Sequence, residues 1–187
     1  LAACAIGNQE PEMQAMRALQ VQLSGGGEAS VLGTGTKMNP IDAAALNAAA
    51  GCWLELDEGN LTSNGHPGIQ VIPAALAVAQ QLGKSGEEFL LACALGYEIC
   101  ARIGSACDMR MCLHPHGTYG VVGAAVAVGR LMGLAPAQMR ERVDSQLRLV
   151  GLHERADAKV GELSGGMQQR VGLARAFSAG IEEALTL

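Results

Sequence analysis

Ser85-Gly86-Glu87-Glu88-Phe89-Leu90-Leu91-Ala92-Cys93-Ala94-Leu95-Gly96-Tyr97-Glu98-Ile99-Cys100-Ala101-Arg102-Ile103-Gly104 decides the fold class. Its first four residues form a capping box: a serine hydroxyl can accept from the amide three residues on, and the glutamate there can reach back to the serine amide. A helix is therefore predicted from Ser85 to about Gly104. Cys93, Cys100 and Cys107 recur at seven-residue intervals, close to one face of such a helix, where reduced cysteine behaves as a small apolar core residue.

Working outward, Gly83 closes a preceding helix that Pro73 can open, and residues 59–68 (GNLTSNGHPG) are dense in turn formers and read as a loop. Asn39 before Pro40 supplies a cap and a first-turn proline for a helix running to about Leu54. Residues 11–23 make a first helix, and residues 28–35, with Val31-Leu32 between glycines, make a short strand or loop. Downstream, a polar loop carries His114 and His116. A helix over 120–133 follows, in which Gly120, Gly123, Ala124 and Ala127 allow another helix to approach closely, and Pro136 begins the next one. The predicted class is all-α, mainly helical, with at most a short strand near 28–35. No internal repeat is evident.

Composition agrees. The chain has 187 residues, 49% hydrophobic and 17% charged, enough to bury a core of ordinary size in one domain. Aromatics supply 3%, so small side chains and close helix contacts must build that core. A net charge of -5 and a pI near 5.3, with the basic residues scattered, argue against a nucleic-acid partner. The six cysteines include no Cys-x-x-Cys pair and no finger-like histidine spacing, so reduced thiols in a cytoplasm are expected rather than zinc or a redox dithiol. The longest apolar stretches, 43–54 and 121–128, fall short of the roughly 20 residues that span a bilayer, and no signal peptide is visible. The chain opens on Leu1 rather than Met, so its start is expected upstream.

Two stretches can carry chemistry. Glu55-Leu56-Asp57-Glu58-Gly59-Asn60 is followed within one loop by His66-Pro67, and acids beside an imidazole can move protons when their environments push their pKa values apart. An acidic helix end with a turn histidine is equally the ordinary look of a solvated surface. Leu113-His114-Pro115-His116-Gly117-Thr118-Tyr119-Gly120 leads into a glycine-rich helix whose first amides can receive an anion such as a carboxylate. It also fits a capped surface loop. The two histidines have no third partner at convincing spacing for a metal.

Four ordered blocks, LNAAAGCWLELDEGN (46–60), GHPGIQVIPAALAVAQ (65–80), SGEEFLLACALGYEICARIG (85–104) and LHPHGTYGVVGAAVAVGRLMGL (113–134), resemble the MmgE/PrpD family, over residues 1–139 in all. That family includes 2-methylcitrate dehydratase and cis-aconitate decarboxylase. The resemblance implies a mostly helical domain, a homodimer, and elimination or decarboxylation of a small di- or tricarboxylic acid without a cofactor or metal. By position it assigns active-site roles to Asp57, His66 and His114, and substrate contacts to Glu58, Asn60 and His116. The chain departs from the decarboxylase-like Asp-x-Asp-Asp-Thr run, reading Glu55-Leu56-Asp57-Glu58-Gly59 instead. Family members run to several hundred residues and bring basic site groups that this stretch lacks, so the chain is expected to be a fragment.

From about Arg142 the character changes. VGLHERADAKVGELSGGMQQRVGLARA (150–176) resembles the signature region of ABC transporter ATPases, with Leu163-Ser164-Gly165-Gly166-Met167-Gln168-Gln169 at its centre. On that alternative, Ser164, Gly165, Gly166 and Gln168 meet a nucleotide's terminal phosphate at a helix N-terminus. Such a signature works against a Walker A loop. Here Gly83-Lys84-Ser85 has Val78 where the first glycine is needed, and residues 181–187 (IEEALTL) hold no Walker B strand. The expected organisation is a single helical domain over 1–187: an MmgE/PrpD-like part to 140, a signature-like block over 141–177, and a helical tail over 178–187. The alternative for the block is an amphipathic helix with Met167, Val171, Ala174, Phe177 and Ile181 on one side.

Overall fold

A computed structural model describes residues 1–106, 118–149 and 151–158, together with Glu162, Ser164, Gly166 and Met167. Two compact units result, Leu1–Gly133 and Leu134–Leu187. The first contains α1 (Ala2–Gly7), α2 (Pro11–Leu23), a two-stranded antiparallel ribbon of β1 (Ala29–Ser30) and β2 (Lys37–Met38), α3 (Pro40–Trp53), α4 (Pro67–Gln81), α5 (Gly86–Ala106) and α6 (Gly120–Leu131). In the second, α7 (Pro136–Leu149) precedes a 3-10 turn at His153–Arg155, and Leu152 is buried beside Leu147 and Met167. The mainly helical class holds.

The predicted caps form. Asn39 Oδ1 accepts from the Asp42 amide at 3.0 Å, and Pro40 fills the first turn of α3, where no amide donor is needed. Ser85 Oγ accepts from the Glu88 amide at 3.2 Å while Glu88 Oε2 accepts from the Ser85 amide at 3.0 Å, closing the capping box. Gly83, at φ 61°, ends α4 in the left-handed region.

Three elements differ from expectation. α4 opens at Pro67, one residue after His66, and Pro73 lies inside it. Pro67 is the cheaper start because its missing N–H belongs to an unbonded first turn, whereas Pro73 forfeits a bond to the Ile69 carbonyl and is retained fully buried. The ribbon takes its second strand from residues 37–38, beyond the predicted 28–35. α1 has no cap or period in the sequence, and its place is fixed by packing: Gly7 lies so close to α3 that a Cβ there would stand 2.0 Å from the Ala50 carbonyl oxygen.

α4 is the centre of the first unit, touching α3 on one side and α5 and α6 on the other. One apolar cluster joins Met13, Val31, Met38, Leu46 and Ala77; another joins Val71, Ala75, Ala92, Cys100, Ala127 and Leu131. α5 meets α6 along a stripe of small residues, Ala92, Gly96, Cys100 and Gly104, where a Cβ on Gly96 would stand 2.5 Å from the Gly123 carbonyl oxygen. Buried Cys100 and half-buried Cys93 fit the core role read from their spacing; Cys107 lies outside the described residues. By length and composition α5 is long and apolar enough to cross a membrane, although Glu98 and Arg102 interrupt its apolar run. Those two side chains pair at 2.6 Å on its exposed face.

Under the ribbon sits a polar knot. Asn47, fully buried, accepts from the Leu32 amide at 2.8 Å and from Asn8 Nδ2 at 3.2 Å, and donates to the Ser30 carbonyl at 2.9 Å. It holds α1, α3 and the ribbon in register without any charge.

Candidate active site

The acidic stretch leaves α3 through a sharp turn. Glu55 adopts φ 51°, a left-handed conformation that a non-glycine residue takes only when its surroundings impose it, and the chain then doubles back toward α4. An isolated bridge between Asn60 and Gly65 closes the loop, with Asn60 Oδ1 accepting from the Thr62 and Ser63 amides, each at 3.0 Å. Tyr119 Oη donates to the Ser63 carbonyl at 2.6 Å and fastens the loop to the start of α6. Asp57 and His66, nine residues apart, become neighbours at the N-terminus of α4.

Asp57 Oδ2 is 3.2 Å from His66 Nδ1, and its side chain is only 5% exposed. The same nitrogen lies 2.7 Å from the Glu58 carbonyl oxygen. Both neighbours are acceptors, so Nδ1 carries the proton, and in the neutral imidazole the lone pair falls on Nε2. The same Asp57 oxygen, Oδ2, also receives the Cys52 Sγ–H at 3.9 Å. Burial, reinforced by the Asp57 charge, pushes the Cys52 thiol up to about 11, so at neutral pH it remains a protonated donor. With Nδ1 bonded to the Glu58 carbonyl and the Asp57 carboxylate at ion-pair distance beside it, the imidazole is arranged as a general base through Nε2.

Glu58 is spoken for at both side-chain oxygens: Oε1 accepts from Tyr97 Oη at 2.5 Å and Oε2 from the Gly68 amide at 2.6 Å. The second bond seats a carboxylate on the first turn of α4, where the helix dipole favours it. Asn60 Nδ2 donates to Tyr97 Oη at 3.1 Å. Burial and then the Glu58 hydrogen bond push the Tyr97 phenol up, so it stays a hydroxyl donor. Of the sequence-predicted residues, Asp57, Glu58, Asn60 and His66 are thus brought together; His114 and His116 lie outside the described residues. Tyr97 and Cys52 were not singled out from the sequence. Tyr97 is marked in the sequence only as the one tyrosine of α5, and nothing local ties it to Glu58.

Beside Asp57 and Glu58 lies a cleft of about 220 Å³, walled by Leu56, Ile69, Ile72 and Pro73. That is below the size of drug-like sites and suits a ligand of a few carbons. Its described walls carry no lysine or arginine, so cations for an acidic ligand must come from other residues. Among the described residues no three His, Cys, Asp or Glu side chains cluster to hold a metal.

In the second unit, Ser164 and Gly166 are exposed, and Ser164 Oγ accepts from the Met167 amide at 3.3 Å, a short N-cap. Gly165 and Gln168 lie outside the described residues. Lys84 and Ser85 are engaged in capping α5, with Lys84 Nζ 3.1 Å from Glu88 Oε1, rather than in a phosphate loop.

Comparison with known proteins yields two likenesses. A model of the MmgE/PrpD N-terminal domain matches residues 1–179, extending past the four sequence blocks. Over stretches of about 50 residues, consistent with a signature region, the chain is similar to ABC transporter ATPases. It is 54% identical over 50 residues to the taurine import ATP-binding protein TauB of Mesorhizobium japonicum, covering 27% of this chain and 20% of that one. It is 50% identical over 49 residues to the uncharacterized ABC transporter ATP-binding protein YxlF of Bacillus subtilis, covering 26% and 17%. The chain thus spans a fifth or less of the length of these relatives.

Proposed function

The chain belongs to the MmgE/PrpD family, and from that premise we propose that it is the helical part of a lyase that eliminates water or carbon dioxide from a small di- or tricarboxylic acid such as 2-methylcitrate. The observation that carries this reading is the His66 imidazole held through Nδ1 by Asp57 and the Glu58 carbonyl. In the dehydration, His66 Nε2 takes the proton on the carbon next to a carboxylate, the C–H electrons form the alkene, and hydroxide leaves from the neighbouring carbon. Asp57 stabilises the imidazolium that results. His114 is the second proton carrier in this reading, with Glu58, Asn60 and His116 shaping the substrate pocket. No cofactor or metal is needed for a proton abstraction of this kind. The substrate's charges call for basic groups that the described cleft lacks, so the active unit includes further residues, in a cytoplasmic homodimer. The test is dehydration of 2-methylcitrate followed by alkene formation, with Asp57→Asn and His66→Ala beside the unaltered chain. Turnover that survives both substitutions would sink the proposal.

A second reading rests on the ABC-type matches: the block over 141–177 binds the terminal phosphate of ATP through Ser164 and its neighbours. A nucleotide titration checks it, and an affinity unchanged by Ser164→Ala removes the signature from any role. If neither activity appears, a non-catalytic packing or dimerisation domain is the remaining reading.

A further inference from the structure

We infer that Tyr97 is a positioning residue for the site: it clamps Glu58 and Asn60 so that the Glu58 carbonyl holds the His66 imidazole in its Nδ1–H tautomer. The inference deepens the lyase reading and rests on it for its functional meaning.

Glu58 is bonded at three points, one to α5 and two to the start of α4. Its Oε1 takes the Tyr97 hydroxyl from α5 at 2.5 Å, its Oε2 takes the Gly68 amide from α4 at 2.6 Å, and its main-chain oxygen lies 2.7 Å from His66 Nδ1. With both carboxylate oxygens committed to the protein, Glu58 is better suited to fix geometry than to hold substrate. Tyr97 Oη also accepts from Asn60 Nδ2 at 3.1 Å, and the Asn60 main chain pairs with Gly65, the residue just before His66. One phenol oxygen therefore restrains the chain on both sides of the imidazole. Asp57 alone is a weaker tautomer lock, since its oxygen stands at 3.2 Å against 2.7 Å for the carbonyl.

Removing the hydroxyl does not threaten the fold. The ring of Tyr97 can remain as phenylalanine, and the Glu58 carboxylate lies near enough to the surface for water to take the vacated place. What is lost is the restraint on the Glu58 backbone and, through it, the preference for a proton on Nδ1.

The experiment is nitrogen-15 NMR of the full chain with labelled histidine, the His66 resonances being assigned from their disappearance in His66→Asn. In the unaltered chain at a pH where the ring is neutral, Nδ1 is expected to give the pyrrole-type signal and Nε2 the pyridine-type one. Tyr97→Phe is expected to collapse that separation toward an averaged pair, or to reverse it, with a melting profile unchanged. Glu58→Ala, which opens the clamp from its other side, is expected to do the same. A Tyr97→Phe spectrum identical to that of the unaltered chain would overturn the proposal, the more clearly if Glu58→Ala alone shifts it. The readout needs no turnover, so the two ideas fail separately. A lost lock without lyase activity in any sample keeps the clamp and removes the lyase. Activity with an unmoved tautomer in Tyr97→Phe does the reverse.

Discussion

Gly96→Ala measures how far the fold depends on backbones in contact. A Cβ at this position would meet the Gly123 carbonyl oxygen at 2.5 Å, Val71 Cγ1 at 2.8 Å and the Ala127 Cβ at 3.0 Å. Ordinary contact begins near 3.4 Å, so the methyl stands roughly 0.9 Å too close to a main-chain atom that cannot rotate away. α5 and α6 must separate, loosening the stripe formed by Ala92, Cys100 and Gly104. Overpacking of this kind costs about 1–3 kcal/mol, and a carbonyl on the far side puts this case at about 3. Alanine returns about 1 kcal/mol through its better helix propensity. The net is a loss of about 2 kcal/mol, or roughly 4–8 °C in melting temperature for a chain of this size. The matched control is Gly86→Ala in the first turn of the same helix, where a Cβ meets nothing within 4 Å; it should fall within about 0.5 kcal/mol of the parent. Thermal and urea unfolding followed by circular dichroism would give both values. A Gly96→Ala protein as stable as Gly86→Ala would refute the close approach.

Other perturbations test separate parts. Asn47→Ala strands the Leu32 amide and the Ser30 carbonyl in a buried place and leaves Asn8 Nδ2 with the Leu32 carbonyl as its remaining acceptor; it should cost about 3 kcal/mol in urea denaturation, and a loss below about 1 would mean that water reaches the knot. Glu88 is held down to about 2 by the Ser85 amide and then by Lys84 and the Ser85 hydroxyl. Because its folded pKa lies below the ordinary 4.5, its contribution is present above 4.5 and fades as pH falls through about 2. The stability gap between the parent and Glu88→Gln should therefore narrow over that window, and a pH-independent gap would count against the capping box. Burial pushes the Cys93 and Cys100 thiols up to about 11, so alkylation mapped by mass spectrometry should reach them only in denaturant; equal native and unfolded rates at Cys100 would contradict its burial.

Much of this architecture could be read from local chemistry. Asn39-Pro40 and Ser85-Gly86-Glu87-Glu88 carry their own hydrogen-bond logic within four residues, and both helices start where that logic puts them. α1 and the opening of α4 depend on distant partners instead. Gly7 needs Ala50, and the choice of Pro67 over Pro73 is made by burial of the whole helix, neither of which spacing can reveal. In the site, Asp57 and His66 could be named by resemblance, but their meeting depends on the Glu55 turn and on the Asn60 bridge. Tyr97 comes from an element 39 residues beyond Glu58, so no local pattern points to it.

α4 is a party wall: Ala77 belongs to one apolar cluster and Val71, Ala75 and Ala79 to the other, while the dyad sits at its head. Neither half of this first unit can melt without unseating that wall. The Asp57–His66 pairing is accordingly expected to vanish in the same cooperative step as the helices on both sides, so that an intact pair certifies an intact unit.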